Sequence, residues 1–361
     1  MTSVFYILLG LLTLFFGGDV LIRGASRLAA MLGMTPLMIG LTVVSFGTSA
    51  PELAVCVDAV RSSNAEIAVG NIVGSNISNI LLILGLTAVI LPLAVAQQLV
   101  RFDIPVMISA ATLFFILASD GSLSRNDGAV LLLAMFSYIG VLIWLSQREK
   151  KANAEKQDGS SSPKKSSAKD WAINLGLVLL GLVMLGFGGS WLVKGAVEIA
   201  SSMGVSKLVI GLTIVAIGSS APEVVTSVVA AMRGRGDMAA GNVIGSNIAN
   251  LLLIGGAASV VAPAAVPAPS AAIDFDLPVM IAASVACLPI FFTGLKIERW
   301  EGFLFLGYFF AYMTYVLLNA AGHDALPAYS WVMWVFVLPL TLVTLVVLTI
   351  RSGVQSLAKR H

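Results

Sequence analysis

The stretch that decides the fold is GLTVVSFGTSAPEL, Gly40 to Leu53, because it returns as GLTIVAIGSSAPEV, Gly211 to Val224. Each copy carries one glutamate, Glu52 or Glu223, in otherwise apolar surroundings. A second phrase follows each copy, GNIVGSNISNILLILG from Gly70 and GNVIGSNIANLLLIGG from Gly241. Glu52 to Glu223 and Gly70 to Gly241 are both 171 residues apart, so one offset aligns both phrases without a gap. A carboxylate duplicated inside apolar sequence marks the place where function should be sought, since an ionisable group there is costly and rarely idle.

Outward from these phrases, the chain is 58% hydrophobic and 11% charged, with a mean hydropathy of +0.96. That leaves too little polar surface to cover a water-soluble fold. Helices of membrane-spanning length are expected near residues 4–30, 36–61, 66–94, 104–119 and 127–146, then 171–200, 207–232, 238–262, 277–294 and 300–320, and finally 329–350. The alternation of a membrane barrel is missing. The first span has no basic stretch before it and belongs to the first repeat, so it is expected to stay in the mature protein. Cys56 and Cys287 lie far apart in apolar stretches and read as small buried residues.

The fold class is therefore an all-α polytopic membrane protein. The expected parts are a first five-helix repeat over 1–146, a basic loop over 147–170, a second repeat over 171–321, an additional transmembrane helix over 328–350 and a tail over 351–361. The loop, QREKKANAEKQDGSSSPKKSSAKD, holds six lysines, and its composition reads as flexible. The positive-inside rule places it in the cytoplasm, with Arg101, Arg233, Arg235, Lys296, Arg299 and the tail residues Arg351, Lys359 and Arg360 on the same side. The N-terminus then faces outward across the cell inner membrane, and the eleventh helix brings the C-terminus inside. Five helices per repeat is an odd number, so the repeats enter the membrane from opposite sides and are inverted. FFGGDVLIRGA at Phe15 and GFGGSWLVKGA at Gly186 extend the duplication, as do FDIPVMI at Phe102 and FDLPVMI at Phe275.

On a helix, Ser45, Ser49 and Glu52 share one stripe with Thr48 beside them, and Asn71, Ser75 and Asn79 step by four along another. Their repeat partners are Ala216, Ser220 and Glu223 with Ser219, and Asn242, Ser246 and Asn250. Pro51 and Pro222 lack an amide hydrogen and free carbonyls near Gly47 and Gly218, just before each glutamate. Non-helical backbone at membrane depth is expected to line a cavity or to be buried in protein. Carboxylate, hydroxyl, amide and carbonyl oxygens together suit a hard cation such as Ca²⁺. Two glutamates carry a charge of −2, matched by one divalent cation, two monovalent cations or two protons. His323 in a loop and His361 at the end of the chain make a zinc or copper site a poor fit.

GTSAPE with GSNISN, repeated as GSSAPE with GSNIAN, resembles the paired alpha repeats of the sodium/calcium exchangers, within the cation/calcium antiporter superfamily and in their bacterial form. The paired motifs are far more specific in combination than either alone. It implies that Glu52 and Glu223 are the central calcium carboxylates and that Thr48, Ser49, Ser219 and Ser220 supply backbone or side-chain oxygens. It further implies that Ser75, Asn79, Ser246 and Asn250 complete the ion sites, with Ser45 and Ala216 giving backbone carbonyls to sodium. Ca²⁺ and Na⁺ would be transported substrates, with no cofactor, no nucleic acid and no obligate protein partner beside the membrane lipid. Asn250 stands where some members, including potassium-dependent ones, carry aspartate, which argues against potassium co-transport. Ser78 and Ala249 stand where a bulkier phenylalanine is common. The implied mechanism is alternating access, with the first and sixth helices, marked by Gly17-Gly18 and Gly188-Gly189, sliding across the rest. More than two sodium ions would enter for each calcium ion that leaves.

Blander readings compete at several positions. The GxxxG pairs Gly70/Gly74 and Gly241/Gly245 are expected to pack helices closely. Asn71 and Asn242 read either as ligands or as interhelical hydrogen-bond partners. Asp19 reads as a local ion pair with Arg23, and Asp103 and Asp276 as caps at helix starts. Asp58, Glu66 and Asp237 read as solvated residues near helix ends. Two other functions compete with Na⁺/Ca²⁺ exchange: a Ca²⁺/H⁺ antiporter of the same fold, and a membrane-embedded hydrolase using Ser49 or Ser220. The hydrolase lacks a base at usable spacing.

Overall fold

The computed structural model describes residues 2–62, 65–156, 167–204, 210, 214, 216–292, 294–339, 341–343 and 346. In chain order the helices are α1 (Thr2–Leu32), α2 (Pro36–Thr48 and Ala50–Arg61, bent by 43°), α3 (Glu66–Ile90), α4 (Leu99–Ala118) and α5 (Arg125–Lys156). The second series is α6 (Ala168–Ser202), α7 (Ala216–Ser219 and Ala221–Met232), α8 (Gly236–Val261), α9 (Ala272–Phe292) and α10 (Arg299–Ala320). A further helix, α11, begins with Leu326–Val332 and runs into a wider turn at Met333–Val337. Among the described residues eight helices are long and apolar enough to cross a membrane, and the bent α2 makes nine. Most of the first half of α7, the end of α11 and the tail from 347 lie outside the described residues.

Two short ladders show that the halves are inverted. Strand β1 (Leu93–Ala94) follows α3, β2 (Ser122–Leu123) precedes α5, β3 (Val266–Pro267) follows α8 and β4 (Lys296–Ile297) precedes α10. β1 pairs with β4 through Leu93↔Ile297 and Ala94↔Lys296, and β2 pairs with β3 through Leu123↔Val266 and Ser122↔Pro267. One span, α4, separates β1 from β2, so they lie on opposite faces. β3, bonded to β2, therefore lies opposite its own repeat equivalent β1. The two registers exchange under the repeat, as a two-fold axis in the membrane plane requires.

The pairing of α1 with α6 obeys the same axis. Gly10, Gly17 and Gly24 recur every seven residues on α1, and Gly181, Gly188 and Gly195 do so on α6. A Cβ at Gly10 would come within 2.7 Å of the Leu192 nitrogen, and one at Gly181 within 2.7 Å of the Leu21 nitrogen, its repeat equivalent. Small residues thus let the two backbones approach closely, the main source of helix affinity where the surrounding solvent is itself apolar. In the centre, α3 and α8 are far more buried than the outer helices.

Several expectations change at this level. α5 continues to Lys156 and α6 begins at Ala168, so both ends of the stretch 147–170 are helical. Good helix formers such as Glu149, Ala152, Ala154 and Glu155 explain the first extension, and a capping box of Ser167 with Asp170 starts α6. Residues 157–166 lie outside the described residues. Asp103 does not cap: a wide helical turn at Leu99–Asp103 runs straight into the rest of α4, leaving no free helix start. Its carboxylate instead accepts from Tyr138 Oη at 3.0 Å and from Gln98 Nε2 at 3.3 Å. Asp276 likewise accepts from Tyr312 Oη at 2.9 Å, so each half ties its fourth helix to its fifth through an Asp–Tyr bond. Gly241 and Gly245 pack against Leu37 and Leu41 of α2 as expected, whereas Gly70 and Gly74 meet nothing within 4 Å among the described residues. Asp58 and Glu66 are exposed and Asp237 is half-buried.

Candidate cation site

The backbone breaks twice, at equivalent places. Ser49, with φ −83° and ψ 3°, interrupts α2, and Ser220, with φ −89° and ψ 9°, interrupts α7. Each is followed by Ala-Pro-Glu in the first turn of a new helix. Pro51 and Pro222 suit that first turn, where an amide hydrogen would lack an intrahelical partner, and they leave the carbonyls of Gly47 and Gly218 without the usual donor four residues on. Glu52 and Glu223 thereby sit at the positive end of a helix, which favours a carboxylate. Both are almost wholly buried, at 2% and 1% exposure.

Hydroxyls from α2 reach across to the other half. Ser49 Oγ donates to Glu223 Oε1 at 3.3 Å, and Thr48 Oγ1 donates to Asn242 Oδ1 at 3.4 Å and to the Ser45 carbonyl at 3.3 Å. Ser45 Oγ donates to Leu41 O at 2.8 Å and keeps its lone pairs, while the Ser45 carbonyl also accepts from the Ser49 amide at 3.0 Å. Ser75 and Asn79 on α3, and Ser246 and Asn250 on α8, are all buried. A wide helical turn occupies Asn79–Leu84 and another Ala249–Ile254, so the ligand-type amides sit at matched irregularities of α3 and α8. Ser220 is fully buried, Ser219 is half-buried and Ala216 heads the described part of α7.

Six of the nine buried polar side-chain atoms without a partner, among the described residues, belong to this set: Glu52 Oε2, Glu223 Oε2, Asn79 Oδ1, Asn250 Oδ1, Ser220 Oγ and Ser246 Oγ. Leaving one such group unsatisfied costs about 1–3 kcal/mol, and more for a charge. Six of these oxygens therefore sit on one set of repeated residues with lone pairs open to a ligand. No cluster of three or more His, Cys, Asp or Glu exists among the described residues, so the donor set is two carboxylates among neutral oxygens. That chemistry suits Ca²⁺ or Na⁺ and not a soft metal.

The repeated asparagines Asn71 and Asn242 serve as interhelical partners: Asn71 Nδ2 donates to Cys56 Sγ at 3.4 Å and Asn242 Nδ2 to Ser227 Oγ at 3.0 Å. Cys56 and Ser227 are themselves repeat equivalents, four residues past each glutamate. Sequence reasoning passed over Asn76 and Asn247, the asparagines inside GSNISN and GSNIAN. Asn247 lies fully buried against Asn79 and could have been found from its place in the duplicated phrase.

A family model described as sodium/calcium exchanger protein matches residues 2–144 and 173–318, which is both five-helix halves. CaxA of Alkalimonas amylolytica is 37% identical over 326 residues, covering 89% of this chain and 100% of its own. The sodium/calcium exchanger MaX1 of Methanosarcina acetivorans is 32% identical over 339 residues, covering 85% of this chain and 96% of its own. Among solved structures, the sodium-calcium exchanger NCX_Mj superposes with a TM-score of 0.71 at 34% identity, over 85% of this chain and 96% of that one. With the duplicated glutamate phrases, the inverted halves and these matches over nearly the whole length, the chain belongs to the sodium/calcium exchanger protein family.

Proposed function

We propose that this protein is a secondary active antiporter that exchanges Na⁺ for Ca²⁺ across the cell inner membrane by alternating access, exporting calcium without potassium. The observation that carries the reading is the pair of buried glutamates at broken helices, surrounded by buried oxygens that have no protein partner. Glu52 and Glu223 are the central carboxylates. Thr48, Ser49, Ser75, Asn79, Ser219, Ser220, Ser246 and Asn250 supply the remaining oxygens, with the carbonyls of Ser45 and Ala216 serving sodium. Two carboxylates at membrane depth cannot be occluded empty at low cost, because desolvating unpaired charge is expensive. A site that moves only when neutralised couples sodium entry to calcium exit. Asn250, neutral where some members of the family, including potassium-dependent ones, carry aspartate, supports independence from potassium.

The glycine-lined α1·α6 pair is the moving body in this reading. Its close backbone contacts hold the two helices together as one unit. In this reading the basic loop lies in the cytoplasm, with the N-terminus and the Arg61 end of α2 toward the exterior.

The test is ⁴⁵Ca²⁺ uptake into proteoliposomes loaded with Na⁺ or with choline at matched pH. Uptake that requires internal Na⁺ and is indifferent to K⁺ supports the proposal. Uptake that ignores Na⁺ but follows a pH gradient would move the assignment to calcium/proton antiport.

A further inference from the structure

An asparagine amide has two unlike ends. Its oxygen can ligate a cation, whereas its NH₂ group only donates and repels one. For Asn79 a chain of contacts between α3 and α8 settles which end faces where. The backbone carbonyl of Asn76 can only accept, and Asn247 Nδ2 donates to it at 3.4 Å. The same Nδ2 lies 3.5 Å from Met107 Sδ of α4, a second, weak acceptor. Asn247 must therefore turn its oxygen the other way, where it accepts from Asn79 Nδ2 at 2.9 Å. The oxygen of Asn79 is left over, buried and without a protein partner.

Burial makes this sequence of donors and acceptors compulsory. Asn76 and Asn79 are buried and Asn247 is at 0% exposure. A reversed amide would set oxygen against oxygen where the local dielectric is low, and the unmatched groups would be expensive. The other half lacks the reciprocal contact. Asn76 Nδ2 is spent on Ile72 O of its own helix at 2.7 Å, and its oxygen has no partner.

We propose that Asn247 is a positioning residue that fixes Asn79 with its carbonyl oxygen toward the cation, through an amide relay anchored on the Asn76 backbone carbonyl. The relay rests on the reading of Asn79 as a cation ligand given above. Asn247 touches no ion itself, so its effect must pass through Asn79 and not through Asn250, its neighbour on α8.

The experiment measures half-saturating Ca²⁺ and maximal rate of ⁴⁵Ca²⁺ uptake by the full chain in Na⁺-loaded proteoliposomes. Asn247→Ala is expected to raise half-saturating Ca²⁺ roughly 10- to 100-fold, the range for partners that orient metal ligands. The maximal rate should change little, as for a loss of ground-state binding. In an Asn79→Ala background the same substitution should add less than about twofold, since coupled sites are not additive. In an Asn250→Ala background its full effect should persist. If alanine at 247 prevents folding, Asn247→Ser replaces it, its short hydroxyl bonding back to its own helix and not reaching Asn79. Multiplicative effects in the Asn79→Ala background would overturn the relay while leaving Asn79 a ligand. An Asn79→Ala protein with unchanged Ca²⁺ dependence would instead remove the ligand reading, and the relay with it.

Discussion

The second half of α2 and the second half of α7 begin alike, with the same backbone break and the same Ala-Pro-Glu, yet they are covered differently. Val55 is 47% exposed, whereas its repeat equivalent Thr226 is at 0%. The cover over α7 is α1. A Cβ at Gly18 would lie 3.1 Å from Val225 Cγ1 and 3.6 Å from Val229 Cγ2, so α1 runs along Ala221–Met232. Gly189, the counterpart of Gly18 on α6, faces Gly218 and Pro222 instead, at ordinary contact distance. A charge cluster marks the same asymmetry. Asp19 of α1 pairs with Arg23 at 2.7 Å and also with Arg233 at the end of α7. The equivalent positions on the other half are Ser190 and Ser62, which cannot form an ion pair. Identical phrases thus give identical local geometry, while the shared α1·α6 pair runs along the second half of α7 and leaves the second half of α2 open.

The strongest way to break the comparison is at the glutamates, where the halves should behave alike despite their unequal cover. Glu52→Gln and Glu223→Gln are each expected to lower Na⁺-dependent ⁴⁵Ca²⁺ uptake by at least ~100-fold, beyond the range seen for outer-shell partners. Retained uptake in either variant would mean that the two carboxylates are not equivalent parts of one site.

Next come the glycines. At Gly17 and Gly188 a Cβ would lie 2.8 Å from the Met184 Cβ and the Leu14 nitrogen respectively, so both Gly→Ala substitutions should destabilise by about 1–3 kcal/mol, as overpacking does. Gly18→Ala should cost more than Gly189→Ala, because only Gly18 is crowded. Thermal unfolding of the purified protein measures all four. Equal costs at Gly18 and Gly189 would mean that α1 and α6 sit symmetrically.

The smallest expected effect lies at the ion pair. A partly exposed pair contributes about 0.2–1 kcal/mol, so Asp19→Asn or Arg233→Gln should shift the balance between access states by roughly 1.4- to 5-fold. Thiol labelling of the detergent-purified protein, open to the reagent from both faces, reads that balance, with Asp58→Cys on the uncovered helix and Val229→Cys on its covered counterpart, in a background without Cys56 and Cys287. Asp58→Cys should react faster in the parent protein, and removing the pair should narrow the gap. Ser190→Asp with Ser62→Arg builds the mirrored pair and should narrow it further, a shift in the opposite sense meaning that the cover is set by something other than α1.

Much of the fold was legible before any coordinates. Composition required a membrane, five spans per half required inversion, and Pro51 and Pro222 required a break just before each glutamate. Those features depend on neighbours within a turn or two, which sequence displays directly. Asp103 and Asp276 were misread because a carboxylate before a proline looks like a cap. The partners Tyr138 and Tyr312, 35 and 36 residues further on, belong to a different helix. Arg233 and Asn247 escaped for the same reason, since their partners Asp19 and Asn79 lie 214 and 168 residues away.

What the sequence by itself determined, then, is everything the two halves share: the inverted repeats, the broken helices, the paired glutamates and the oxygen types around them. What only the tertiary structure decided is everything in which they differ, namely which half-helix α1 covers, which serves as the anchor of the ion pair and which asparagine amide is held in place. The physical reason is that a duplicated phrase encodes the same local conformation twice, but one tightly packed pair of helices cannot lie along both copies at once.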